Sequence, residues 1–196
     1  MTHAHAISAA DIMPMADYGK LRAEKRREIA ALKRDRRVAV GPSATFYFEN
    51  RATMWMQIHE MLWIEKGGAE QIPDELEAYN PLIPRGDELV ATFMIEIDDP
   101  VRRKRVLGQL GGIEETAFIT VGGEKIVATP ETDQDRTAAD GKASSVQFVH
   151  FQFTPTQIAA FRVPGTQVIL GLDHPNYSHM AVLPEAARAA LAADFD

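Results

Sequence analysis

The sequence predicts an α+β fold: a mainly antiparallel sheet packed around a central apolar helix, with a basic helix near the N-terminus. Short alternating segments outnumber long helical segments and are joined by tight turns, which favours antiparallel pairing over a βαβ repeat. Residues 51–66 are apolar over a broad arc at the helical period, so we expect this helix to be buried against the sheet. Residues 20–37 carry nine lysines and arginines against three acidic residues, which predicts the basic helix.

The other elements follow from hydrophobic periodicity and from turn residues. We expect helices at 17–36, 73–78, 100–110 and 184–193, and a helical turn at 154–161. We expect strands at 38–40, 45–49, 89–97, 117–121, 125–128, 146–153 and 166–172. Residues 129–142 are polar and acidic, which predicts a flexible loop or a lid.

The length of 196 residues predicts a single α+β domain, which we place over residues 17–196, and we expect residues 1–16 to form a flexible N-terminal tail. The chain has no cysteine, which excludes disulfides, thiolate zinc sites, cysteine-bound iron–sulfur clusters and a cysteine nucleophile. No apolar run is long enough to span a bilayer, and the N-terminus lacks the features of a secretory signal. We therefore expect a cytoplasmic protein with no membrane partner.

Charge is distributed unevenly along the chain. Because residues 20–37 are strongly basic, the rest of the chain is more acidic than the net charge of −7 suggests. This distribution disfavours nucleic acid as a partner of the body and favours an acidic surface as the partner of the helix. The expected partner-binding residues are Arg26, Arg27, Lys33 and Arg34. The sequence leaves a homo-oligomer open.

The central helix carries one narrow polar stripe. Thr53, Gln57 and Glu60 are spaced i, i+4 and i+7 after Asn50, a good N-cap. The stripe either faces solvent or a salt bridge, or it buries a carboxylate that must be paired, protonated or bound to metal. His59 lies on the apolar arc and is expected to be a core histidine with one hydrogen bond. Residues 59–63 do not complete a zinc-binding HExxH pattern, because Trp63 stands at the position of the second histidine.

Residues 173–177, Asp-His-Pro-Asn-Tyr, form the second polar cluster. One interpretation is a rigid turn, because proline restricts the residue before it and asparagine supplies local hydrogen bonds. The other places His174 near Glu60 or Glu49, where the three side chains would suit a transition metal such as iron, manganese or zinc. The expected binding residues beside such a site are Gln57, Arg51, Asn176 and Tyr177.

Several segments together resemble an uncharacterised bacterial family that is described only as a domain of unknown function. The matching segments are RRVAVGP (36–42), FENRAT (48–53), QIHEM (57–61), DELEAYNPLIP (74–84), ELVATFMIEI (88–97), SSVQFVHF (144–151) and LDHPNY (172–177). The resemblance covers about Tyr18 to Leu183. Genes of this family often lie beside those of rubrerythrin-like proteins and iron–sulfur oxidoreductases, which implies a role near peroxide handling or iron–sulfur electron transfer.

Two functional hypotheses follow, and neither assigns a catalytic residue. The first, which we favour, is an accessory protein that docks on a redox partner of the rubrerythrin or iron–sulfur oxidoreductase system, in a role related to oxidative stress. The second is a small metalloprotein or metalloenzyme with a His/carboxylate site. Hydrolase, phosphate-loop and dinucleotide-binding patterns are absent from the sequence.

Overall fold

The structure, a computed structural model, describes residues 5–131 and 141–196. These residues form six α-helices and nine strands in two antiparallel sheets, which confirms the predicted α+β class. The helices are α1 (Met15–Arg34), α2 (Arg51–Glu65), α3 (Ile72–Tyr79), α4 (Pro100–Leu107), α5 (Pro155–Arg162) and α6 (Glu185–Ala192). The strands are β1 (Arg37–Val40), β2 (Ala44–Phe48), β3 (Glu88–Ile95), β4 (Ala117–Val121), β5 (Glu124–Val127), β6 (Thr129–Pro130), β7 (Val146–Gln152), β8 (Val168–His174) and β9 (Tyr177–Val182).

The larger hydrophobic core lies between the two sheets. The first sheet has the strand order β1-β2-β3-β7-β6 and the second has the order β5-β4-β8-β9. Alternate residues of each strand point to one face, so Phe46, Phe93 and Phe151 of the first sheet meet Ile119 and Leu170 of the second. All five side chains are fully buried. Burial of these alternating apolar positions fixes the strand register.

Helix α2 packs on the other face of the first sheet. Ile58 and Leu62 of α2 form a second, smaller cluster with Val90 of β3. The helix begins as predicted, because the Asn50 side chain accepts a hydrogen bond of 3.0 Å from the Thr53 backbone N–H. The helix is buried against the sheet, as expected, and covers one face of it, while the second sheet covers the other face.

Helix α1 runs along α2 with a thin contact seam. Tyr18 is buried, and the half-buried residues that follow it along the same side of the helix are Arg22, Lys25, Ile29 and Lys33. The remaining side of α1 is exposed. Within residues 5–131 and 141–196, no helix combines the length and the apolar character that crossing a bilayer requires.

Residues 5–14 lie against the body of the protein, in contrast to the flexible tail expected over residues 1–16. Ile7 is buried, and its backbone N–H and carbonyl both bond to the Asn80 side chain, at 2.8 and 2.9 Å. The Arg51 side chain holds the same segment through the Ala6 carbonyl, at 3.2 Å, and the Asp11 carboxylate, at 2.8 Å. Residues 1–4 lie outside the described residues.

The predicted loop at residues 129–142 begins as a strand. Thr129 and Pro130 pair with His150 and Val149 at the edge of the first sheet. Residues 132–140, to which most of the loop or lid prediction applies, lie outside the described residues.

Candidate functional site

The Glu60 carboxylate, the first predicted metal ligand, lies in an ion pair between α1 and α2. Arg22 donates two hydrogen bonds to it, each of 2.8 Å, and the Tyr18 hydroxyl donates a third of 2.5 Å. The hydrogen bonds from Arg22 lower the pKa of Glu60, burial opposes this effect, and the Tyr18 bond adds to the lowering. Glu60 is therefore an ionised carboxylate that anchors α1. This agrees with the interpretation in which the polar stripe faces a salt bridge.

His59 lies on the apolar arc, as predicted. Its ring is fully buried and stacks against Trp55, with ring centroids 3.7 Å apart. Nδ1 donates to the Trp55 carbonyl at 2.7 Å, and Nε2 accepts from the Met13 backbone N–H at 3.0 Å. The ring thus makes two hydrogen bonds instead of one, and burial lowers its pKa.

The segment 173–177 forms the β8–β9 turn, and the strand that follows it was missed by the sequence analysis. The His174 ring accepts a bond of 3.1 Å from the Asn176 backbone N–H and lies 3.2 Å from the Gly111 carbonyl. The Asn176 side chain donates to the Gln109 carbonyl at 2.8 Å. These local bonds match the rigid-turn interpretation of this segment.

Tyr177, one of the predicted binding residues, joins the two sheets. Its buried hydroxyl accepts hydrogen bonds from the backbone N–H groups of Ser43 and Ala44, at 2.9 and 2.8 Å, and donates to the Val40 carbonyl at 2.9 Å. Every hydrogen-bonding capacity of this hydroxyl is used by the backbone of the β1–β2 turn.

The structure does not gather Glu49, Glu60 and His174 into one cluster. Glu49 bonds to Thr53 of α2, and Glu60 lies two helical turns further on, about 10 Å along the axis. His174 belongs to the second sheet, whereas Glu49 faces away from that sheet. Across the described parts of the chain, no group of three or more His, Cys, Asp or Glu side chains is arranged to hold a metal ion.

Glu49 instead lines a cleft of about 390 Å³ over the outer face of the first sheet, which we call the Glu49 cleft. Alternation in the strands places Tyr47, Glu49, Thr92 and Met94 on this face, and α2 and α3 supply the opposite wall. The residues that line the cleft are Lys33, Tyr47, Glu49, Met54, Gln57, Tyr79, Leu82, Thr92, Met94, Val146 and Phe148.

The Glu49 carboxylate is the most buried charged group of the cleft, with 5% of the residue exposed. One oxygen accepts a hydrogen bond of 2.6 Å from the Thr53 hydroxyl, and the other accepts one of 2.8 Å from the Thr92 hydroxyl. The Thr53 hydroxyl also lies 3.0 Å from the Asn50 carbonyl oxygen, which is farther away than the Glu49 oxygen. Among the described residues, no lysine, arginine or histidine forms an ion pair with Glu49.

Two further polar side chains of the cleft, Gln57 and Tyr79, use only part of their hydrogen-bonding capacity within the described residues. The Gln57 amide nitrogen lies 3.4 Å from the Tyr79 hydroxyl oxygen, a long hydrogen bond. Neither the Gln57 carbonyl oxygen nor the Tyr79 hydroxyl proton bonds to another described side chain. Gln57 was a predicted binding residue, whereas Thr92 was not predicted. The alternation of β3 was the signal that placed Thr92 on the outer face.

The predicted partner-binding residues separate into two groups. Arg26, Arg27 and Arg34 are exposed, and the one ion pair of Arg34 with a described residue is with the neighbouring Asp35, at 3.6 Å. Lys33 is half-buried, lines the Glu49 cleft and forms no ion pair with a described residue. The other basic side chains of the segment have partners: Lys20 pairs with Asp17, Lys25 with Glu28, Arg22 with Glu60, Arg36 with Asp194, and Arg37 with Glu96.

Comparison with known proteins places the chain in a family. The model of the family described as "Protein of unknown function (DUF3501)" matches residues 6–195. The chain belongs to this family. A solved structure from Burkholderia pseudomallei, titled as a novel protein of unknown function, is similar over 100% of both chains, with 33% sequence identity and a TM-score of 0.90. No curated protein matches the chain.

Proposed function

We propose that this member of the family is an accessory protein that docks on an acidic surface of a redox partner through the exposed side of α1. The observation that carries the proposal is a set of exposed arginines on α1, Arg26, Arg27 and Arg34, whose one ion pair with a described residue is that of Arg34 with Asp35. The resemblance to a family whose genes neighbour those of rubrerythrin-like proteins and iron–sulfur oxidoreductases supplies the class of partner.

The exposed side of α1 is organised by a seven-residue spacing. Residues seven apart lie nearly above one another, about 10 Å along the axis, so Arg27 and Arg34 form one row and Arg26 lies beside it. Ala23 and Ala30 fall between these positions and are exposed. Because alanine is short, it leaves the arginine guanidinium groups uncovered. The result is a basic surface about 12 Å long, because Arg26 and Arg34 are eight residues apart on the helix.

The chemistry of the partner follows from the arginines of this surface and from the acidic character of the rest of the chain. Arginine binds carboxylates bidentately and is weakly hydrated, which suits contact with aspartate and glutamate on a folded protein. The rest of the chain is acidic and would repel an extended polyanion such as nucleic acid. A local acidic patch on a protein of comparable size offers carboxylates to the arginines and is not extended enough to be repelled by the rest of the chain.

The experiment is a titration of the purified chain against a rubrerythrin-like protein and an iron–sulfur oxidoreductase from the same organism. We expect binding at low salt that weakens as the ionic strength rises, because exposed charges are screened beyond about 10 Å at 0.1 M salt. The double substitution Arg27→Glu and Arg34→Glu is expected to weaken binding at least tenfold.

The matched control is the double substitution Arg102→Glu and Arg105→Glu on α4. These arginines are also exposed, and the control changes the net charge by the same amount. Equal weakening by both double variants would show an effect of net charge alone and would count against docking by α1. Binding that is absent at low salt with both partners would reject the proposal.

A further inference from the structure

We infer that the Glu49 cleft binds a small zwitterionic amine, with its ammonium group on Glu49 and its acidic group facing Lys33. This inference concerns a different surface from the docking face of α1 and does not depend on it. It rests on a buried carboxylate, a lysine that forms no ion pair with a described residue, and apolar walls.

The first step concerns the carboxylate. Burying an ionised carboxylate without a cation is costly, and two threonine hydroxyls only partly replace its hydration. A carboxylate has about four acceptor positions, of which the hydroxyls of Thr53 and Thr92 occupy two. An ammonium group carries a positive charge and three donors. It therefore supplies what the Glu49 site lacks among the described residues.

The second step concerns the side chains beside Glu49. The Gln57 carbonyl oxygen is a further acceptor for the ammonium group, and the Tyr79 hydroxyl retains a proton that it can donate. Met54, Leu82, Met94 and Phe148 make most of the remaining lining apolar. A short hydrocarbon stem therefore suits the space better than a sugar or a phosphate chain, since it displaces water from apolar walls.

The third step concerns the second charge. Lys33 lines the same cleft, is half-buried and forms no ion pair with a described residue. A ligand with ammonium groups at both ends would bring one of them close to this lysine. A ligand with a carboxylate at its second end would instead meet an opposite charge, and like-charge repulsion would select against diamines.

The test is isothermal titration with three probes that share one hydrocarbon length: ε-aminocaproate, hexylamine and caproate. We expect ε-aminocaproate to bind most tightly, hexylamine more weakly, and caproate least. Glu49→Gln should weaken the binding of ε-aminocaproate and hexylamine about tenfold or more, because each loses a charge-assisted hydrogen bond. Lys33→Ala should weaken ε-aminocaproate and leave hexylamine unchanged.

Two further variants separate loss of the site from loss of the fold. Met94→Trp places an aromatic side chain in the cleft at a half-exposed strand position and should abolish binding without lowering the melting temperature. Glu24→Gln removes an exposed carboxylate of α1 that does not line the cleft and should leave binding unchanged. Glu49→Gln keeps the shape of the side chain, and its melting curve reports whether the fold is intact.

Three results would overturn the inference. The first is that none of the probes binds at millimolar concentration. The second is that caproate binds as tightly as hexylamine. The third is that Glu49→Gln binds ε-aminocaproate with unchanged affinity.

Discussion

The Glu60 carboxylate and the Arg22 guanidinium are joined by two parallel hydrogen bonds, from Nε to Oε1 and from Nη2 to Oε2, each 2.8 Å long. This bidentate geometry is typical of an arginine that binds a carboxylate. It is the main polar link between α1 and α2, and it sets the position of the basic helix on the body. The position of the proposed docking surface therefore depends on this pair, in which Arg22 lies about one helical turn before Arg26.

Replacing Glu60 by glutamine should change how stability depends on pH. The folded-state pKa of Glu60 is lowered, so its contribution is present above the unfolded-state value of about 4.3 and is lost as the pH falls through the folded-state value. Urea unfolding between neutral and acid pH should therefore show a shallower acid-side decline for Glu60→Gln than for the parent. The control is Glu24→Gln, an exposed carboxylate of α1, which should retain the parental slope. An identical slope for Glu60→Gln would contradict this assignment.

Local patterns predicted the stripe that contains Glu60 but could not predict its partner. Thr53, Gln57 and Glu60 share one side of α2 because the helical period requires it. Whether that side faces solvent, a metal or an arginine depends on a helix that lies 38 residues earlier in the chain. Periodicity describes which residues share a face and says nothing about which distant element covers that face.

The division into two sheets was beyond sequence reasoning for a similar reason. Strands β4 and β8 alternate in the same way as β3 and β7, so their patterns do not state which strand pairs with which. The Glu49 cleft could not be predicted for the same reason. The alternation of β3 places Thr92 on the face opposite to Ala91 and Phe93, but its contact with Glu49 depends on the register of β2 with β3, which pairs Tyr47 with Thr92.

Removing the Tyr177 hydroxyl should lower the free energy of unfolding. Tyr177→Phe leaves the N–H groups of Ser43 and Ala44 and the Val40 carbonyl without this partner in a buried position. An unsatisfied buried polar group costs about 1–3 kcal/mol, so a loss in this range is expected by denaturant unfolding. The control is Tyr47→Phe, whose hydroxyl donates to the exposed Glu96, and a smaller loss is expected there. Equal losses would show that the Tyr177 hydroxyl stabilises the fold no more than the Tyr47 hydroxyl does.

The buried pair of Arg36 and Asp194 should be worth far more than the exposed pair of Lys125 and Asp173. The side chains of the first pair are 4% and 9% exposed, and those of the second are 47% and 62% exposed. Asp194→Ala leaves a buried guanidinium without its carboxylate and is expected to cost about 3–5 kcal/mol. Asp173→Ala is expected to cost at most about 1 kcal/mol. Denaturant unfolding of both variants checks the contrast, and costs of similar size would contradict it.

His150 should make stability depend on pH near neutrality. Its Nδ1 lies 2.9 Å from a Glu88 oxygen and its Nε2 lies 2.7 Å from a Glu131 oxygen, so both ring nitrogens face carboxylates. Only the protonated ring can donate at both positions. Burial lowers the pKa of His150, but the hydrogen bonds and charges of Glu88 and then Glu131 outweigh it and raise the pKa overall.

The sign of the effect follows from this raised value. The contribution of His150 is fully present below the unfolded-state pKa of about 6.5 and is lost as the pH rises through the folded-state pKa. Melting temperatures measured across neutral pH should therefore fall on the alkaline side, and His150→Gln should flatten that decline. Glu131→Gln removes one of the two carboxylates and should flatten it partly, since Glu88 remains. A parental decline that persists unchanged in His150→Gln would show that another group titrates in this range.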